Sequence, residues 1–338
     1  MTTPTRVLPV DASAPQSAII GEAAAVLRRG GLVAFPTETV YGLGANALDP
    51  GAVARIFAAK GRPHNNPLIV HVADLREARE WTAHWPMVAD RLAAAFWPGP
   101  LTLVLPRGAR VPDKVTAGGL TVAIRIPEHP VALALLSESD LALAAPSANR
   151  SSYLSPTRAE HVVRGLGGCI DLVLDAGPTS GGLESTVLDL TSSPPRILRP
   201  GLIAPAQIEC IIGPIQRMPS PPGAPGAPLR SPGLLFRHYA PGAVLECREA
   251  DAPERIQALC EEGARVGWLA FSAPERGFDN VTLIVMPAEP TQYAAELYAA
   301  LHQLDDAGVE KIIVSMPPET DEWLAVRDRL MRASRPPS

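Results

Sequence analysis

The chain has 338 residues, 46% apolar and 19% charged, with a net charge of −5; that is enough for about two domains with cores of their own, and far from the composition of disorder. Its four cysteines, Cys169, Cys210, Cys247 and Cys260, show no CxxC or metal-finger spacing, which excludes a disulfide scaffold and points to a reducing compartment. Residues 1–15 carry no basic segment leading into an apolar run, and no stretch of about 18 uncharged apolar residues occurs, so a cytoplasmic protein without a membrane segment is expected.

Residues 1–213 carry 18 Lys+Arg against 18 Asp+Glu, residues 214–243 three arginines and no acid, and residues 244–338 nine against 17. In the first part, 32–35, 68–72, 101–105, 121–126, 141–144 and 186–190 read as buried strands, and 14–29, 51–59, 131–136 and 157–164 as helices. The segment from Gly213 to Pro241 holds eight prolines, Pro241 included. Such a run cannot donate a regular hydrogen-bond ladder, so 214–243 reads as a linker between a domain at 1–213 and another at 244–338. In the last part, strands at 243–247, 266–271, 281–286 and 311–315 alternate with helices at 252–262, 291–306 and 321–331, the pattern of a small α/β sandwich with a largely parallel sheet.

The sequence contains no GxxxxGK[ST], HExxH or GxSxG motif, so a nucleotide would be bound by other means. Gly42-Leu-Gly44 and Gly165-Leu-Gly-Gly168 read as turns or caps. The stretch Phe35-Pro-Thr-Glu-Thr-Val-Tyr-Gly-Leu-Gly44 follows a strand; its hydroxyls either line a ligand crevice or satisfy their own turn. In Lys60-Gly-Arg-Pro-His-Asn-Asn-Pro-Leu-Ile-Val-His71, Lys60 and Arg62 either stabilise a helix C-terminus or join Asn65, Asn66 and His71 around an anion. Thr121, Ala123 and Arg125 share one face of a strand, where a buried arginine needs either an internal carboxylate or the carboxylate of a substrate. Ala144-Ala-Pro-Ser-Ala-Asn149 runs into a turn, and Ser155-Pro-Thr157 reads as a helix N-cap that could shelve a phosphate. Beyond lie the small-residue loop Ser180-Gly-Gly-Leu-Glu-Ser185, the strand arginines Arg196 and Arg199, and the cluster Arg237-His-Tyr239 inside the linker. There Tyr239 is suited to stacking on a ring and Arg237 to phosphate.

Together these motifs resemble the two-domain YrdC-type L-threonylcarbamoyladenylate synthases: FPTETVYGLG, KGRPxxNPL, APSAN, SGGLESTV, RPG and SPG…HYAP, spread over about residues 15–243. The resemblance implies an α/β fold, with a YrdC-like twisted mixed sheet and flanking helices followed by a smaller Rossmann-like α/β domain. It implies an enzyme joining L-threonine, bicarbonate and ATP into threonylcarbamoyl-AMP and pyrophosphate, for modification of the adenosine beside the anticodon in certain tRNAs. Carried over residue by residue, it places Thr39, His71, Arg125, Ala145 and Ser185 around threonine. Around ATP it places Lys60, Arg62, Asn66, Thr121, Ser147, Asn149, Ser155, Arg199 and Tyr239. Where the family's linker often has a lysine, this chain has Leu235, which leaves Arg237 and His238, beside Tyr239, as the linker's lid residues.

On that reading the carbamate formed on threonine attacks the α-phosphorus of ATP. Positioning and charge neutralisation by Lys60, Arg62 and a phosphate-bound Mg²⁺ suffice, without an acidic dyad or a nucleophilic side chain. The Mg²⁺ ligands stay unassigned. A transient contact with the downstream tRNA-modifying complex is expected. Direct tRNA binding is expected to be weak or absent, because the first part nets zero charge and the last is acidic. The competing readings are a YrdC-like RNA-binding module and a related carbamoyl-adenylate-forming enzyme.

Overall fold

A computed structural model describes residues 4–217, 238–274, 277–278 and 280–336. Ten strands form the first sheet: β1 (Arg6–Pro9), β2 (Val33–Phe35), β3 (Gly42–Asn46), β4 (Ile69–His71), β5 (Leu101–Pro106), β6 (Thr121–Arg125), β7 (Leu143–Ala144), β8 (Leu172–Asp175), β9 (Thr186–Asp189) and β10 (Arg196–Arg199). Their order is β1-β8-β2-β3-β7-β4-β6-β5-β9-β10, with parallel pairs such as β4–β6 beside antiparallel ones such as β5–β6. Four further strands, β11 (Val244–Arg248), β12 (Val266–Ala270), β13 (Val281–Val285) and β14 (Lys311–Ser315), make an all-parallel second sheet in the order β11-β14-β12-β13. The fold is thus the expected α/β one, with a large mixed sheet and a smaller parallel one.

Several elements differ from the sequence reading. Gly42-Leu-Gly44 is not a turn but the start of β3. A side chain at Gly44 would sit 2.8 Å from the Phe35 ring, so close strand packing, and not turn geometry, accounts for glycine there. Ser155 caps no helix. The helix Ala159–Leu166 starts after Arg158 without a side-chain cap, while the Ser155 hydroxyl donates to Glu184 at 2.5 Å. Strands β1 and β8, and the helices Leu75–Glu80, Met87–Phe96 and Pro205–Ile212, lie outside the expected elements. The last of these buries Ile208 against Ala89 and Leu92.

The two sheets meet through the helix Pro290–Asp306. A Cβ at Gly182, where φ is +70°, would lie 2.3 Å from the Ala294 carbonyl oxygen; the loop before β9 therefore touches this helix backbone to backbone, as only glycine allows. His302 from the same helix stacks on His161 with centroids 3.9 Å apart. Its Nε2 lies 3.3 Å from the Ser155 carbonyl, and Arg164 pairs with Asp306 at 2.5 Å nearby.

Burial, together with His302, Arg164 and Arg158, lowers His161 to about 3; burial also lowers His302. Below the ordinary histidine pKa the unfolded chain binds more protons than the folded one, so stability present above about pH 6.5 is lost as pH falls. The thermal midpoint is expected to drop by several degrees between pH 7 and pH 5, and by less in His161→Leu. Calorimetry across that range checks it.

Candidate active site

The loop after β2 is tied by its own hydroxyls. Thr37 Oγ1 lies 2.7 Å from Thr39 Oγ1 and donates to the Val40 carbonyl at 2.7 Å. On β4, Ile69 and His71 are two residues apart and so share a face, and His71 stands in register with Arg125 on β6. Over this face lies a narrow cavity of about 40 Å³, room for about three waters.

All five residues expected around threonine, Thr39, His71, Arg125, Ala145 and Ser185, line this cavity, as do Arg62, Ser147, Arg199, His238 and Tyr239. The other expected nucleotide residues stand back from it. Lys60, the last residue of the helix Pro50–Lys60, is buried. Its Nζ donates to the carbonyls of Ser147, at 2.5 Å, and of Asn149, so it holds the turn that carries Ser147. Asn66 Oδ1 accepts from Arg62 Nη2 at 2.7 Å and aims that guanidinium. Asn149 Nδ2 donates to the Arg150 and Tyr153 carbonyls, each at 2.8 Å. Thr121 shares the face of Arg125 but lies four residues back along β6, about 13 Å away. Arg237 lies outside the described residues, as does most of the linker.

The internal-carboxylate reading of Arg125 holds in this structure. Its Nη2 pairs with Glu38 Oε1 at 2.5 Å, Nη1 donates to Thr39 Oγ1 at 3.0 Å, and Nε donates to the Gly99 carbonyl at 3.2 Å. One N–H on each terminal nitrogen is left for a further acceptor. Glu38 sits between the two threonines of its motif, and local sequence carries no sign of a partner 87 residues away.

Charge is the feature that decides the chemistry. Lys60, Arg62 and Arg199 are all buried. Among the described residues Lys60 and Arg62 bond only to carbonyl and amide oxygens, and Arg199 donates to Ser185, at 3.0 Å to its carbonyl. Burial, reinforced by Arg62, pulls Lys60 well below its usual range; burial also lowers Arg62. Unneutralised buried cations are costly, and an anion relieves the cost. Burial and Arg125 take His71 down to about 3, and burial with the same cations lowers His238, so both rings are neutral near pH 7. Asn66 Nδ2, His71 Nδ1, His238 Nδ1 and the Tyr239 hydroxyl are buried without a protein partner among the described residues. Orphans gathered at one place are what a polar ligand would satisfy.

Family models match the chain over residues 25–201, described as telomere recombination, and over residues 203–335, described as the C-terminal domain of threonylcarbamoyl-AMP synthase. The chain is 48% identical to a threonylcarbamoyl-AMP synthase of Bacillus subtilis, covering 93% of this chain and 92% of that one. It is 44% identical to the threonylcarbamoyl-AMP synthase of Pyrococcus abyssi, covering 92% and 93%. A crystal structure of P. abyssi Sua5 complexed with L-threonine superposes with a TM-score of 0.89 at 43% identity, covering 98% of both chains.

Pyrophosphate is expected to raise the thermal midpoint of this chain, since a ligand at 100 times its dissociation constant adds about 2.7 kcal/mol. Arg199→Met should remove most of that rise, and a thermal-shift titration compares the two proteins.

Proposed function

The chain belongs to the threonylcarbamoyl-AMP synthase family, and we propose that its cation-lined cavity joins L-threonine, bicarbonate and ATP into threonylcarbamoyl-AMP and pyrophosphate. The observation that carries this reading is the meeting of Arg62 and Arg199, buried without an ion-paired carboxylate among the described residues, with Thr39, His71, Arg125, Ala145 and Ser185 at one cavity, backed by buried Lys60 under the Ser147 turn.

The chemistry runs in two steps. The amine nitrogen of threonine bonds to the carbon of CO₂ derived from bicarbonate and loses a proton, giving a carbamate. A carbamate oxygen then attacks the α-phosphorus of ATP, the bond from that phosphorus to the bridging oxygen breaks, and pyrophosphate leaves. Arg125 offers its two remaining N–H groups to the threonine carboxylate, and Ala145 lines the same cavity. Neutral His71 can exchange a hydrogen bond with the substrate without adding charge. Arg62 and Arg199, with Lys60 holding the Ser147 turn, would meet the phosphates and Tyr239 the nucleoside, while Ser155, which does not line the cavity, holds Glu184. A narrow, buried site limits the access of bulk water to the carbamate, which would lose CO₂ there.

Among the described residues no cluster of His, Cys, Asp and Glu suits a metal ion. The nearest carboxylates, Glu38 and Glu184, are held by Arg125 and Arg329. Mg²⁺ fits here only as part of the incoming nucleotide, on its phosphate oxygens. The product would serve as donor for threonylcarbamoyladenosine in tRNA, which motivates a transient contact with the downstream complex. Among the described residues no helix is long and apolar enough to cross a membrane, consistent with work in the cytoplasm. An RNA-binding module is not favoured, because the cations are enclosed instead of spread over an open face.

Pyrophosphate release from ATP should require both L-threonine and bicarbonate, with L-serine as control; release independent of threonine would overturn the proposal. Arg125→Ala should lower kcat/KM for threonine by about 100-fold or more. It should also destabilise the fold by about 3–5 kcal/mol, because Glu38 is left as an unpaired buried charge.

A further inference from the structure

Glu184 is the one carboxylate among the described residues that lines the cavity, and it faces the group of cations expected to receive phosphate. It does not lean into them. Arg329, on the helix Leu324–Ala333 behind the second sheet, donates from Nε to Glu184 Oε2 at 2.8 Å. Tyr298 contributes its hydroxyl at 3.3 Å and Ser155 at 2.5 Å. Arg329 is only 1% exposed in its side chain. It also donates to the Pro200 carbonyl at 2.9 Å, pairs with Asp328 at 2.7 Å, and places its guanidinium carbon 4.8 Å from the centre of the Tyr239 ring.

We propose that Arg329 is a positioning residue of the C-terminal domain, which draws the Glu184 carboxylate back from the phosphate-binding cations and fixes the Tyr239 ring, so that the cavity accepts a polyphosphate. This rests on the assignment of Arg62, Arg199 and Tyr239 to ATP given above. The physics is a competition for charge. An anionic Glu184 free to turn would either neutralise Arg199 and Arg62 itself or repel the incoming phosphates, and both raise the apparent ATP requirement. With Arg329 Nε at its back on Oε2 and the Ser155 and Tyr298 hydroxyls on Oε1, the carboxylate is oriented at both oxygens and neutralised from outside the cavity. Gly182 keeps the loop carrying Glu184 pressed against the helix Pro290–Asp306, so the reach from Arg329 is set by domain packing.

Arg329→Met is expected to raise KM for ATP by about 10-fold to 100-fold while KM for threonine changes less than about threefold. Adding Glu184→Gln should recover most of the ATP affinity, since the carboxylate, and not the missing arginine, causes the defect. In Arg329→Met the KM for ATP should also improve as pH falls towards 5. Glu184 can then take up a proton, with Arg199 from β10, Tyr298, Tyr239 and Asp328 as the remaining charged or titratable groups around it; a merely structural arginine would give no such trend. An unchanged KM for ATP, or equal losses for both substrates without rescue by Glu184→Gln, overturns the proposal. If Arg329→Met does not fold, Arg329→Lys decides. It keeps the charge and loses the planar guanidinium that holds Glu184, the Pro200 carbonyl and Asp328 together, so a selective rise of about threefold in KM for ATP supports the proposal and an equal rise for both substrates refutes it. ATP affinity is read in parallel by calorimetry. Failure of the unmodified chain to form product would therefore overturn the reaction itself, while the affinity ratios still decide the role of Arg329.

Discussion

Two buried arginines lining one cavity, backed by a buried lysine and none of them ion-paired to a carboxylate among the described residues, are the constraint on which the rest of this structure depends. Lys60, Arg62 and Arg199 are kept in place by carbonyl and amide oxygens, which orient a positive charge without cancelling it. The carboxylates that could have cancelled it are assigned elsewhere, Glu38 to Arg125 and Glu184 to Arg329. The result is a pre-organised anion site whose favourable electrostatics are present before substrate arrives, the arrangement that phosphoryl and nucleotidyl chemistry needs when no side chain acts as nucleophile.

The same constraint ties the site of this chain to its second domain. A carboxylate beside uncompensated cations is held off only by a countercharge on its far side, and the first sheet supplies none. The second domain does, through Arg329, and its approach is allowed by the absence of a side chain at Gly182. The stacked His161 and His302 add a contact that favours neutral rings and so neutral pH. Packing between the domains is in this sense part of the site.

Much of the site was legible in local pattern. Threonine and tyrosine hydroxyls after a strand, Lys-x-Arg at a helix end and an arginine on an apolar strand each mark polar groups where a core would be expected, and Thr39, Arg62, His71 and Arg125 do line one cavity. The reading of Ser155 as a cap failed because a Ser-Pro-Thr signature describes only local donors, and the hydroxyl found Glu184, 29 residues on. Strand β3 escaped notice because its glycines carry no β propensity; tight packing on Phe35 selected them instead.

By itself, then, the sequence determined the α/β class, the two-part layout and most of the polar residues that meet at the cavity, because strand and helix periodicity and turn composition act over a few residues and leave their mark there. Only the tertiary structure decided which of those groups face the cavity, which merely hold the ones that do, and which partner neutralises each charge. Glu184 and Arg329 are 145 residues apart. A charge pair of that separation has no local signature, because it forms when two independently folded surfaces exclude water between them.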